Sequence, residues 1–155
     1  MTDLEKFINI FKGLDSAYGQ TVKTDQFSEK GKHKTKSFTI SNPVTIKLWE
    51  EHLKGSDPGL GIVPINKENK CKWGCIDIDT YPFDHKKFIK KLKDKNIPMI
   101  VCRSKSGGAH AFLFTKQFVP ATVMRVKLKL IASAVGFANA EIFPKQDYIR
   151  VDRGD

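Results

Sequence analysis

Trp73-Gly74-Cys75-Ile76-Asp77-Ile78-Asp79 is an apolar run that ends in two carboxylates one residue apart. Residues i and i+2 of a strand point to the same face. Asp77 and Asp79 would therefore stand side by side, with Ile76 and Ile78 turned to a buried face behind them. Two carboxylates that close repel each other, and sharing divalent cations relieves the repulsion. Mg²⁺ and Mn²⁺ prefer hard oxygen ligands, commonly one or two carboxylates together with substrate phosphates. Two such ions suit in-line displacement at a phosphate. The same pair also suits the hydrated edge of a half-buried strand, although aspartate is disfavoured in strands.

Downstream, Arg103-Ser104-Lys105-Ser106-Gly107-Gly108-Ala109-His110 lies between two β-rich runs, residues 97–102 and 109–115. Gly107 and Gly108 permit backbone conformations that expose successive N–H groups, a nest for an anion. Ser104 and Ser106 add hydroxyl donors, Arg103 and Lys105 add charge, and His110 opens the next strand as a further donor. This set suits a triphosphate. The G-x4-G-K-[ST] order of a Walker loop is absent, and an ordinary hairpin turn with basic decoration is the competing reading. A third stretch, Glu141-Ile142-Phe143-Pro144-Lys145-Gln146, offers a third carboxylate and a lysine able to touch phosphate.

Around these stretches the pattern predicts an α+β chain. Thr2-Asp3-Leu4-Glu5 is a capping box that opens a helix, with Leu4, Phe7, Ile8 and Phe11 at helical spacing and Gly13 to end it. Residues 15–36 are polar and lysine-rich with little periodicity, and read as a loop followed by a short strand near Phe38 and Ile40. Pro43 opens a second helix, with Ile46, Trp49 and Leu53 inward. Residues 60–65 and 73–78 read as a hairpin across the polar turn 66–72. Asp84 caps a helix over 85–95 with Phe88, Ile89 and Leu92 inward and a lysine face outward. Pro120 opens a last helix whose buried stripe is Val123, Val126, Leu130 and Ala134, closed by Gly136. A short strand over 140–143 and another near 148–151 complete the pattern. Two hairpins, each followed by a helix, favour α+β over a doubly wound parallel sheet.

Of 155 residues, 27 are Lys or Arg and 17 Asp or Glu, a net charge of +10. Such a balance favours a polyanionic partner, though it also fits a lysine-rich protein with no such partner. Cys71, Cys75 and Cys102 are too few, and spaced wrongly, for a zinc site, and read as reduced structural thiols. No apolar run approaches a membrane span and the first residues lack a targeting pattern, which points to a cytoplasmic protein with no membrane partner.

Together the three stretches resemble the archaeo-eukaryotic primase superfamily. Its pattern is an apolar strand ending in D-x-D or D-x-E, then small-x-His, then a third acid after an apolar position. Ile76-Asp77-Ile78-Asp79, Gly108-Ala109-His110 and Ala140-Glu141 look like these in turn. The wording is most similar to the primase domain of TOTE-type conflict systems and related phage primase-polymerases. Phe11-Lys12-Gly13-Leu14 with Ala17-Tyr18-Gly19, Trp49 with His52-Leu53, and Leu60-Gly61-Ile62 with Pro64-Ile65 precede the three motifs in the same order.

The resemblance implies a two-lobed catalytic domain: an N-terminal α/β lobe over about residues 1–70, and an RRM-like antiparallel sheet over about 71–155 carrying the active site. It implies Asp77, Asp79 and Glu141 as catalytic ligands of two Mg²⁺ or Mn²⁺ ions. It places His110 on the nucleotide phosphates, assisted by Arg103, Ser104, Lys105, Ser106, Gly107, Gly108 and Lys145. The activity implied is template-dependent nucleotidyl transfer, with single-stranded DNA template, primer and nucleoside triphosphates as partners, and a helicase or further domains of a larger system beside it. Relatives continue after the third acidic motif with a strand containing Gly-Asn and Leu-Pro. The chain ends at Asp155 without it, so a catalytic domain incomplete at its C-terminus is expected. Asp152 also follows apolar Val151, but Phe-Pro-Lys-Gln after Glu141 carries the resemblance. An incomplete primase-like domain that only binds single strands, and a metal-dependent nuclease, are the alternatives.

Overall fold

The computed structural model describes residues 1–29, 31 and 33–150. The chain divides into two compact units, one built on Met1–Asn66 and the other on Lys67–Ile149.

In the first unit, helix α1 (Asp3–Phe11) begins with the expected capping box. The Thr2 hydroxyl accepts from the Glu5 amide at 3.2 Å, and the Thr2 amide donates to Glu5 Oε2 at 2.7 Å. Helix α2 (Ile46–Leu53) starts at the Thr45 cap, later than Pro43 suggested. Phe7 packs edge-on against Trp49, which joins the two helices. Of the expected α2 stripe only Trp49 is buried; Ile46 and Leu53 are exposed. Gly13 does not stop α1 by a left-handed turn. A Cβ there would lie 2.1 Å from the Val63 carbonyl oxygen, where the Leu14 amide donates to the same oxygen.

The stretch expected to be a loop is instead a hairpin. Strands β1 (Tyr18–Phe27) and β2 (His33–Ile40) pair antiparallel, and β3 (Gly59–Gly61) adds to β1, giving the order β2-β1-β3. The hairpin escapes a periodicity reading because neither face of its outer half is buried, so no apolar alternation marks it. The expected hairpin of residues 60–65 with 73–78 does not form, because β3 spends its edge on β1.

The second unit runs β4 (Lys70–Ile78), α3 (His85–Asp94), β5 (Ile100–Arg103), β6 (Ala109–Pro120), α4 (Ala121–Ala134) and β7 (Glu141–Phe143). Its sheet has the order β5-β6-β4-β7 and every neighbouring pair is antiparallel. This is the β-α-β-β-α-β, RRM-like arrangement, with β6 between β4 and β5. Alternation sends Ile76, Ile78, Ala109, Ala111, Leu113 and Ile142 to one face, where they meet Phe88 and Leu92 of α3 and Met124, Leu128 and Ile131 of α4.

Helix α4 turns a different stripe inward from the one expected. Val123, Val126 and Leu130 are 56%, 59% and 64% exposed, while Ala121, Met124, Leu128, Ile131 and Ala132 are buried. Both stripes are apolar at helical spacing. Gly74 decides between them: a Cβ there would sit 2.7 Å from Leu128 and 2.9 Å from Met124, so α4 lies directly on the β4 backbone at that point. Gly136, at φ +88°, closes α4 as its position suggested. The described residues thus form four helices and two antiparallel sheets, an α+β chain. Among them no helix is long and apolar enough to cross a membrane.

Candidate active site

The sheet register places Asp77 opposite Glu141 of β7 on one side and His110 of β6 on the other, and His110 in turn opposite Cys102 of β5. Residues directly opposite across strands share a face. Asp77, Glu141 and His110 therefore form a row across three strands on the face away from α3 and α4. Asp79 lies just past the end of β4 and is exposed.

Each acid in the row has a nitrogen-bearing side chain beside it. His110 Nε2 is 3.4 Å from Asp77 Oδ1, and Lys145 Nζ is 2.6 Å from Glu141 Oε1. The Lys145 ammonium also sits 5.0 Å from the centre of the Phe143 ring. Burial pushes the Asp77 carboxyl above the usual carboxylate range; the charges of Asp79 and Glu141 push the same way, against His110 and Lys145. Neighbouring Cys75 is a neutral thiol, its pKa pushed up to about 12 by burial first and by the Asp77 charge next. Cys71, also buried, is pushed up to about 11. Both thiols are free, as expected of structural cysteines.

A cavity of about 750 Å³, lined by residues 77–80 and 136–141, opens beside all three carboxylates. Among the described residues no three His, Cys, Asp or Glu side chains already converge as a formed metal site. The donor set nevertheless fits a hard divalent cation: three carboxylates around one cavity, one of them half-desolvated and raised by the other two. Asp79 and Glu141 are both exposed.

The residues of the Arg103–His110 stretch are divided between the two faces. Gly107 takes φ +97°, and its amide donates to the Ser104 carbonyl at 3.0 Å, closing a tight turn. A Cβ on Gly108 would fall 2.1 Å from the Ile78 carbonyl oxygen, so the loop lies hard against the end of β4. Ser104 and Ser106 hydroxyls are 3.1 Å apart, and Ser106 is hydrogen-bonded to the Tyr81 hydroxyl. Tyr81 donates to Asp79 Oδ1 at 3.0 Å. A chain of hydroxyls thereby joins the loop to the second carboxylate. Lys105 is exposed at the turn. Arg103 pairs with buried Ala109 and so faces away from His110; it lines a separate cavity of about 420 Å³ with residues 82–86. Asp152 lies outside the described residues.

Three contributors had no sequence signal beyond proximity to a motif. Tyr81 stands two residues after Asp79. His85 donates from Nε2 to the Gly108 carbonyl at 2.8 Å, which fixes its tautomer because a carbonyl only accepts. Arg125 of α4 donates from Nη1 to the Pro144 carbonyl at 2.9 Å and sets Nε 2.8 Å from Asp147 Oδ1, holding the segment that carries Lys145.

No curated protein matches the chain. The family model of the TOTE conflict system, Archaeo-Eukaryotic Primase domain matches residues 4–154, a span that takes in the D-x-D strand, the histidine opposite it and the third acid. With almost the whole chain matched, and the three motifs meeting on one sheet face, the protein belongs to the archaeo-eukaryotic primase domain family of TOTE conflict systems.

Proposed function

We propose that this primase-like domain is a template-dependent nucleotidyltransferase, a DNA primase-polymerase that joins nucleoside triphosphates with release of pyrophosphate. One observation carries the reading: Glu141, Asp77 and His110 stand in register across β7, β4 and β6 on one sheet face, beside a cavity that Asp79 also lines. A row of two acids and a basic donor suits a reaction in which phosphate negative charge must be met and redistributed.

Asp77, Asp79 and Glu141 would hold one or two Mg²⁺ or Mn²⁺ ions, which when bound neutralise phosphate charge and favour ionisation of the primer 3′-hydroxyl. His110 would donate to a phosphate oxygen of the incoming nucleotide. Lys145, freed from Glu141, supplies a cation. The Ser104 and Ser106 hydroxyls and the turn at Gly107 offer further donors. These groups position the α-phosphate for attack by the 3′-hydroxyl, and the pyrophosphate leaves as the new bond forms. Catalysis in such a site is mostly positioning and charge stabilisation. The net charge of +10 supports a nucleic-acid strand as partner.

The test is extension of a primer, and synthesis without one, on a single-stranded template with Mg²⁺ or Mn²⁺, comparing the unmodified chain with Asp77→Asn. Products that follow the template and vanish in the variant support the reading. No product from the unmodified chain, with strand binding intact, moves it to a non-catalytic binding domain.

A further inference from the structure

The chemistry above makes no use of the β1–β2 ribbon. β3 pairs with β1 only at Gly19, Gln20 and Thr21. Beyond Thr21 the ribbon has two strands alone. It is tied by cross-strand contacts: Thr21 and Ser37 hydroxyls 2.8 Å apart, the Thr24 hydroxyl donating to the Lys34 carbonyl at 3.0 Å, and His33 Nδ1 donating to the Thr24 carbonyl at 2.9 Å. A two-stranded hairpin is marginal in water by itself, and here the outer strands show most side chains to solvent on both faces. A chain that keeps such an element gains little core from it.

What the ribbon displays is specific. Pairing of Gln20 with Phe38 and of Val22 with Lys36 puts Lys34, Lys36 and Phe38 on one face of β2. They span about 14 Å, at about 3.4 Å per residue. Lys34 and Lys36 are exposed, and neither forms an ion pair among the described residues, whereas Lys23 on the other face lies 3.6 Å from Asp57. Phe38 is 43% exposed. At the outer end Phe27, 58% exposed, rests on the His33 ring at 4.3 Å between centres. Residues 18–40 contain five lysines against two acids.

Two unpaired ammonium groups followed by an open aromatic ring along one face of β2 match single-stranded nucleic acid. The lysines meet phosphates, and the ring stacks on an unpaired base, which a duplex keeps covered. We infer that the outer β1–β2 ribbon grips single-stranded nucleic acid through Lys34, Lys36 and Phe38, none of which belongs to the candidate active site. The inference rests on the reading that this chain handles a nucleic-acid strand, and names the element that holds it.

The experiment is a fluorescence-anisotropy titration of the full chain with a labelled oligothymidylate, without nucleotide, over a salt series. The Lys34→Gln/Lys36→Gln variant should bind on the order of tenfold more weakly, with a salt slope shallower by about 1.4, about 0.7 for each phosphate no longer neutralised. Phe38→Ala should weaken binding on the order of tenfold with the slope unchanged. Lys34→Arg/Lys36→Arg should restore affinity and slope. Unchanged affinity and slope in the glutamine variant overturn the inference, as does an arginine variant as weak as the glutamine one. Equal competition by a blunt duplex overturns the assignment to single strands. Asp77→Asn should bind the strand as the unmodified chain does. A chain that grips the strand through the ribbon yet extends no primer upholds this inference and defeats the polymerase reading; one that extends primers but ignores the ribbon substitutions does the reverse.

Discussion

The two faces of the four-stranded sheet are made by the same strands and do opposite things. On β4, Ile76 and Ile78 are fully buried against α3 and α4, while Asp77 between them faces a cavity and carries a raised carboxyl. On β6, Ala109 and Ala111 are buried and His110 between them is half-exposed beside Asp77. On β7, Ile142 is buried and Glu141 is open. The pleat thus allows one face to supply rigidity and the other to concentrate charge that a core would not tolerate. A site built on paired strands keeps its side chains in a fixed register, which positional catalysis needs.

If the division holds, the two faces can be damaged separately. The largest expected effect is on chemistry: Asp77→Asn should lower nucleotide incorporation by about a thousandfold, the scale of losing an essential charge-stabilising group, without lowering Tm. Primer extension and thermal melting on one preparation check both halves. A large Tm loss would show that Asp77 is structural. The reverse case is Ile76→Ala, which should cost about 3 kcal/mol of stability through the cavity it opens. Denaturant unfolding measures the cost, and nucleotide binding well below Tm should persist. Loss of binding in the folded variant would mean that the faces are coupled. Gly108→Ala touches both faces. Its Cβ would meet the Ile78 carbonyl at 2.1 Å, so the loop must move from the end of β4, at about 2 kcal/mol. Stability and triphosphate affinity should fall together, measured by melting and by nucleotide titration.

What the sequence disclosed follows the range of the forces involved. The Thr2 and Asp84 caps, the D-x-D strand and the turn at Gly107 are set by residues within a few positions, and each lies where local rules put it. The β1–β2 hairpin was illegible because alternation reports burial, and its outer half is not buried. The face of α4 was ambiguous because two apolar stripes coexist there, and only the backbone of Gly74, 50 residues before Met124, selects one. The assembly of the site depends on sheet register. That Glu141 and His110 flank Asp77 is decided by which strands pair, and no spacing in the chain encodes it. The resemblance grouped those three residues; it was silent on Tyr81, His85 and Arg125, which act through contacts between loops and helices.

The smallest effect tests whether the charge on the open face is held at a cost to the fold. Burial raises the Asp77 carboxyl, with Asp79 and Glu141 adding to it. A carboxyl whose pKa is higher folded than unfolded favours folding while protonated. That contribution is complete below the ordinary carboxylate range and is lost as pH rises through the folded value. At neutral pH the ionised group therefore works against the metal-free fold. Asp77→Asn should raise Tm slightly at pH 7 in the presence of a chelator, and the advantage should shrink to nothing as pH falls through the carboxylate range. Scanning calorimetry of both chains across pH measures this. An advantage that stays constant with pH would trace to packing of the amide. An advantage that grows toward low pH would reverse the sign and show that His110 and Lys145 outweigh burial at Asp77.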